Sequence, residues 1–218
     1  MRHAKAKLLF LDETYVRIGI CQSHTLVAPG GTPYVLVDDT DAYAPRYDMI
    51  ACISGDRVFP PRIFTPQEMA RHDVKGIRKW MLEQYVEHIL AQAAGAMDMW
   101  PLTLVMDRSS IHNPAELQEL FHDSGCQDMT TVYLMPAMPA YSAKRLSPLD
   151  NSLFYQWKNA IRKHHDITPV NIEQLMADEW NNLDPATLMG HYRNCGLTHS
   201  TNPYFDCPDP PAHGHHVH

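Results

Sequence analysis

No apolar run in this chain approaches the roughly 20 residues that a membrane-spanning helix needs, so no membrane partner is expected. Cysteine is scarce: five among 218 residues, at Cys21, Cys52, Cys126, Cys195 and Cys207. The count is odd, the spacing is wide and no CxxC occurs, which argues against a disulfide framework and against a structural zinc site. Reduced thiols in an intracellular protein are the plain reading, in the nucleus for a eukaryotic host and otherwise in the cytoplasm. The basic start, Met1 to Lys7, leads directly into an apolar strand with no small-residue cleavage site, so no signal peptide is expected. Positive charge is also short: 18 Lys and Arg against 25 Asp and Glu give a net charge of −7. That is the wrong sign for a protein that binds by blanketing phosphates. It leaves room for a nucleic-acid enzyme with local basic patches and an acidic metal site.

What is present describes an ordinary globular chain, with 44% hydrophobic and 20% charged residues, long enough for one substantial domain. The stretch that organises it runs from Thr103 to Pro114. An apolar run, Leu102 to Met106, has strand length and ends in Asp107, and a helical pattern begins after Asn113 with Pro114 in its first turn. A second apolar run, Lys7 to Leu11, also ends in an acid, Asp12. Tyr15 to Ile20 reads as a further strand, a hairpin partner of the first. Tyr34–Val37 is a short strand candidate, Tyr47–Ile53 a stronger one, and Arg57–Phe59 its return after the turn at Ser54-Gly55-Asp56.

Apolar residues at three- and four-residue steps from Ile77 to Leu90 predict a helix from about Gly76 to Ala94, with Gly95 as its stop. Further helices are expected from Pro114 to about Asp123, from Ser147 (an N-cap, with Pro148 behind it) to about His164, from Ile172 to Asn182 and from Pro185 to Asn194. Thr130–Met135 is the next strand. The order β-β-β-α-β-α-β predicts an α/β fold: a mixed sheet, antiparallel in its first strands and then parallel, flanked by helices. Residues 198–218, rich in Pro and His, read as a disordered tail.

Three acids stand out: Asp12 and Asp107 at strand ends, and Asp150 in the first turn of a helix. Hard divalent ions take oxygen ligands, commonly a few carboxylates plus substrate phosphate. Two such ions about 3.5–4 Å apart can clamp the attacking and leaving oxygens of a phosphoryl displacement. Neighbouring strands lie about 4.8 Å apart, so Asp12 and Asp107 on adjacent strands can share an ion, and an acid on a later helix can complete the set. The cluster Asp38, Asp39 and Asp41 reads as a solvated turn, and the terminal histidines receive no native role.

The context of these acids resembles the catalytic domain of the mariner/Tc1/IS630 group of DDE/D transposases. Leu8-Leu9-Phe10-Leu11-Asp12-Glu13-Thr14 is similar to the family's first block. Leu104-Val105-Met106-Asp107-Arg108-Ser109-Ser110-Ile111-His112 is similar to its second. Tyr141, then Leu146-Ser147-Pro148-Leu149-Asp150-Asn151-Ser152-Leu153-Phe154, is similar to its third. Together the blocks span roughly residues 7 to 165. Asp150 stands where many relatives have Glu, Arg108 replaces the usual Asn, and the interval from Asp107 to Asp150 is longer than usual. The family's helix-turn-helix DNA-binding region has no counterpart here. The chain therefore reads as a fragment of a longer gene, a truncated copy or a domesticated catalytic domain.

The resemblance implies an RNase H-like catalytic domain over residues 1–165, with 166–197 as a helical extension of it. It implies Asp12, Asp107 and Asp150 as the catalytic metal ligands and two Mg²⁺ or Mn²⁺ as cofactors. DNA, as transposon ends and target, would be the partner, handled by a homodimer. The implied reaction is metal-dependent hydrolysis of phosphodiester bonds followed by strand transfer of the 3′-OH ends. Two alternatives stand beside it: a domesticated or decayed relative that binds DNA or protein without cutting, and another RNase H-like nuclease such as a junction resolvase. Around the triad, Glu13, His112 and Asn151 are candidates for support of the ligands. Glu13 is expected to face away from Asp12. Arg108, Lys144, Arg145, Lys158, Arg162 and Lys163 are candidates for DNA contact, the last five being the main local concentration of basic residues.

Overall fold

A computed structural model describes residues 7–18, 44–125, 130–135, 146–164 and 166–197. The expected Tyr34–Val37 strand, the Asp38–Asp41 cluster, Tyr141, Lys144, Arg145 and the tail 198–218 lie outside the described residues.

The sheet forms around a long first strand, β1 (Lys7–Arg17). The sequence suggested a break after Asp12 and a hairpin partner from Tyr15. The structure instead carries one strand through Asp12 to Arg17, because Asp12-Glu13-Thr14 offers no Gly or Pro and the backbone stays paired throughout. Its antiparallel neighbour is β2 (Arg46–Ser54), in a register that runs from Leu9↔Ser54 to Arg17↔Arg46. β2 turns at Gly55, whose φ of +38° suits a residue without a Cβ, into β3 (Arg57–Val58), and it also pairs with β4 (Arg62–Phe64). On the other side of β1, β5 (Leu102–Met106) runs parallel, and β6 (Thr130–Leu134) runs parallel to β5. The path is β3-β2-β1-β5-β6, the expected mixed sheet.

Period-2 alternation divides the strands between two faces. Leu9, Leu11, Ile50, Cys52, Leu104 and Met106 point to one side, where α1 (Pro66–Arg71), α2 (Lys79–Ala96) and α3 (Pro114–Asp123) cover them with Met69, Leu82, Tyr85, Leu117 and Phe121. The α2 helix starts at Lys79–Tyr85, widens through a π-helical segment Val86–Leu90, and ends in Ala91–Ala96. Gly95 lies inside it rather than stopping it. Space around that glycine is open, and the helix closes at Met97 ahead of Asp98, which has a φ of +50°.

Phe10, Met49, Ala51, Ile53 and Val105 point to the other side. There α4 packs; it opens with a π-helical segment Leu149–Leu153 and continues as Phe154–Arg162. The helices α5 (Ile172–Asn181) and α6 (Pro185–Asn194) share that core through Met176, Trp180, Leu188 and Tyr192. Trp180 donates to the Phe59 carbonyl at 3.0 Å, and Tyr192 donates to the Ile53 carbonyl at 3.1 Å. Residues 166–197 are thus part of the packing that holds the sheet.

Candidate active site

β1 and β5 are paired up to Phe10↔Val105. Two residues further along β1 comes Asp12, and Asp107 follows directly on the last residue of β5. Alternation puts Asp12 on the face of Phe10, which is the face that α4 covers, while the Asp107 carboxylate turns to His112. The π-helical start of α4 carries Asp150 to where its charge acts on Asp12. Ser147 helps to set that start: its Oγ accepts from the Asp150 N–H at 3.3 Å and its carbonyl from the Asn151 N–H at 2.9 Å. π-segments of this kind occur often at functional sites because they re-aim side chains without ending the helix.

The neighbouring carboxylates act on Asp12. Burial pushes Asp12 well above the ordinary carboxylate range, and the charges of Asp150, Glu13 and Asp107 push it further. The Glu13 N–H, donating to Asp12 Oδ1 at 2.7 Å, opposes this only in part. A buried carboxylate facing other carboxylates is destabilised as an anion, and a cation relieves it. Among the described residues no group of three His, Cys, Asp or Glu side chains stands in ready-made ligating geometry. The donor chemistry does fit a hard divalent ion: it is all oxygen, crowded, and held at the ends of rigid elements.

His112 shows how one of these acids is held. A turn closed by His112 N–H to the Ser109 carbonyl, 3.1 Å, sets the imidazole against Asp107 and Glu13. Its side chain is wholly buried. Nε2 donates to Glu13 Oε1 at 2.9 Å, while Nδ1 lies 2.9 Å from Asp107 Oδ1 and 3.0 Å from the Asp107 carbonyl. Burial alone would lower its pKa. The hydrogen bonds to Asp107 and Glu13 outweigh that and lift it to about 10. At neutral pH the ring is therefore an imidazolium that donates from both nitrogens. Glu13 does face away from Asp12, and from that side it reaches Asp107 through His112.

A second polar network holds the helix that carries Asp150. Ser152 Oγ lies 2.8 Å from His191 Nδ1, and His191 Nε2 lies 2.9 Å from Gln156 Oε1. His191 is buried, and burial lowers its pKa. Asn151 turns toward the same helix: its Oδ1 accepts from Ser152 Oγ at 3.2 Å, and it hydrogen-bonds the Cys195 thiol. The sequence reading missed Ser152, Gln156 and His191 because their partners lie 35 and 39 positions apart in the chain.

Of the basic candidates, Lys158 lies within the field of the acids. The charges of Asp12 and Asp150 favour its ammonium, whereas burial, Arg162 and Arg46 weaken it. Lys163 is exposed. Arg108 donates from Nε to the Met135 carbonyl at 3.0 Å, tying the loop after β5 to the end of β6. Two further cations that the sequence reading did not single out, Arg17 and Arg46, stand at the far ends of β1 and β2.

No family model matches the chain, and no curated protein matches it. Solved structures do. A Mos1 transposase paired-end complex with the left transposon end superposes with a TM-score of 0.65 at 11% identity, covering 89% of this chain and 53% of that one. The Mos1 mariner paired-end complex with Mn gives 0.61 at 11% identity, over 87% and 52%. The isolated catalytic domain of Mos1 mariner transposase gives 0.56 at 11% identity, over 87% and 76%. The chain thus spans about half the length of the transposase chains in those complexes. At such identities the likeness is one of fold: an RNase H-like mixed sheet flanked by helices, shared with the catalytic domain of the Mos1 mariner transposase.

Proposed function

We propose that this chain is the catalytic domain of a mariner-like DDE/D transposase, a metal-dependent DNA endonuclease. The observation that supports the proposal is that Asp12, its carboxyl raised first by burial, is raised further by the charges of Asp150, Glu13 and Asp107. The shared fold with Mos1 transposase structures, including complexes with transposon-end DNA and with Mg or Mn, supports it.

In this reading Asp12, Asp107 and Asp150 hold two Mg²⁺ or Mn²⁺. When bound, these ions supply activation of a water or 3′-OH nucleophile and charge stabilisation at the leaving oxygen. The chain's own residues prepare the site. The His112 imidazolium, braced by Glu13, fixes the Asp107 carboxylate, and positioning of this kind strengthens a ligand set. The buried face of α4 keeps Asp150 on the sheet and water out of the surrounding core. No side chain is needed as a covalent nucleophile. Cleavage of DNA ends and transfer of the 3′-OH to a target, with two copies of the chain acting together, complete the proposed reaction.

The test is cleavage of labelled DNA carrying the element's ends in Mg²⁺ or Mn²⁺, wild type against Asp107→Asn. The variant is expected to lose cleavage by about two to three orders of magnitude, on the scale of groups that act on developing charge. Undiminished cleavage would sink the site assignment. The net charge of −7 favours a second reading, a relative that binds DNA or protein and cuts nothing. DNA binding by the wild type with no metal-dependent cleavage would select it.

A further inference from the structure

Beyond the acids, three cations from three separate elements meet on one aromatic ring. Tyr15 of β1 is 41% exposed. The Arg46 guanidinium lies 4.1 Å from its ring centroid, the Lys158 ammonium 5.1 Å and the Arg17 guanidinium 5.9 Å. Arg46 is also anchored, since it donates to buried Asp48, the residue opposite Tyr15 across β1 and β2. Gathering like charges in this way is costly. The proton on Lys158 is weakened by burial and by Arg162 and Arg46, and is favoured by Asp12 and Asp150. Within the patch the Asp48 carboxylate acts with Arg46 and Arg17, and the three cations around the ring outnumber it.

We propose that Tyr15 with Arg17, Arg46 and Lys158 forms a landing site for single-stranded DNA at the end of β1 beyond Asp12, a base stacking on the tyrosine ring and the adjoining phosphates pairing with the three cations. An exposed aromatic set among cations is the arrangement that single-strand binders use, because every base has a face to stack and every nucleotide a phosphate. A blunt duplex offers the cations its phosphates but keeps its bases stacked on one another. The site therefore prefers unpaired DNA next to the point of cleavage. This rests on the DNA-cleaving function proposed above, and it deepens that function.

The experiment measures fluorescence anisotropy with the full chain in EDTA, where no cleavage intervenes. A labelled single-stranded oligonucleotide is compared with the blunt duplex and with RNA of the same sequence. Tyr15→Ala is expected to weaken single-strand binding about tenfold or more, to change duplex binding less than twofold, and to keep its thermal unfolding transition. Tyr15→Phe keeps the ring and binds like the wild type. Lys158→Gln lowers the slope of log affinity against log salt by about 0.7. Wild-type affinity in Tyr15→Ala, equal losses on both DNAs, tenfold loss in Tyr15→Phe, or tighter binding of RNA than DNA each overturns the proposal. Cleavage by the wild type in Mn²⁺ separates the two readings: a Tyr15-dependent binding pattern without any such cleavage leaves this site standing and removes only the catalytic function. Normal cleavage with Tyr15-independent binding does the reverse.

Discussion

His112 is the residue on which most turns. It is wholly buried between two carboxylates, and removing it leaves Glu13 and Asp107 facing each other without their cation. His112→Ala should cost about 1–3 kcal/mol, because the half-exposed Asp107 carboxylate is screened by solvent and the main loss is the buried partner of Glu13. Denaturant unfolding checks this, and Glu13→Gln, which keeps an acceptor for Nε2, should cost markedly less. The pH dependence has a definite sign. A histidine whose folded pKa is raised contributes stability that is whole below its unfolded value near 6.5 and is lost as pH rises through about 10. Melting temperature in EDTA should therefore fall between those pH values in the wild type and fall less steeply in His112→Ala. Asp12 works in the opposite sense to an ordinary salt-bridged acid. Its raised folded pKa makes the metal-free protein less stable as pH climbs above the unfolded value near 3.9. Asp12→Asn should accordingly raise the melting temperature in EDTA at neutral pH, while abolishing any gain from added Mn²⁺. A lower melting temperature for that variant would contradict the crowding of carboxylates.

At the scale of elements, the helix α4 decides whether Asp150 reaches the other two acids. Its apolar side, Leu149, Leu153, Phe154, Trp157 and Ile161, is buried, and Trp157 packs edge-on against Trp180 of α5 at 6.1 Å. Its polar side is fastened to α6 through Ser152, Gln156 and His191. His191→Ala leaves Ser152 and Gln156 without that partner in a buried setting, at a cost of about 1–3 kcal/mol. A loss of several degrees in melting temperature is expected, read by calorimetry, together with weaker Mn²⁺ binding. Trp180→Ala opens a cavity shared by both helices and should cost about 3–5 kcal/mol. Helices α5 and α6 lie in residues 166–197, so truncating the chain before α5 should unfold the site rather than trim an appendage.

For the whole molecule, the sheet brings its charges to one end and leaves them unbalanced. A cation that binds the folded state alone stabilises it by about 2.7 kcal/mol at a hundredfold excess over its Kd. In a chain of this size that is worth roughly 5–10 °C. Added Mn²⁺ should raise the melting temperature by that amount in the wild type and by almost nothing in Asp107→Asn. An equal rise in both would place the ion elsewhere.

Much of this was legible in the linear sequence, because period-2 and period-3.6 patterns and cap residues are local. Asn113-Pro114 and Gly125 bound α3 where the pattern put it. The apolar run before Asp107 became β5, and the mixed sheet followed from element order. The break expected after Asp12 did not occur, because pairing with β2 carries a strand through polar residues that local propensity would end. The Gly95 stop failed for a related reason: packing of α2 against the sheet outweighs one exposed glycine.

The sequence by itself determined which residues could do chemistry. It set acids at the ends of apolar runs, a histidine five residues after one of them, and basic residues along a helix. Only the tertiary structure decided which of these meet. The parallel register of β1 and β5, the π-helical start of α4 and the antiparallel register of β2 place Asp12 in the field of Asp107 and Asp150, His112 between Glu13 and Asp107, and Tyr15 among Arg17, Arg46 and Lys158. Those meetings depend on pairings between residues far apart in the chain, and their free energy comes from burial and charge that no local pattern encodes.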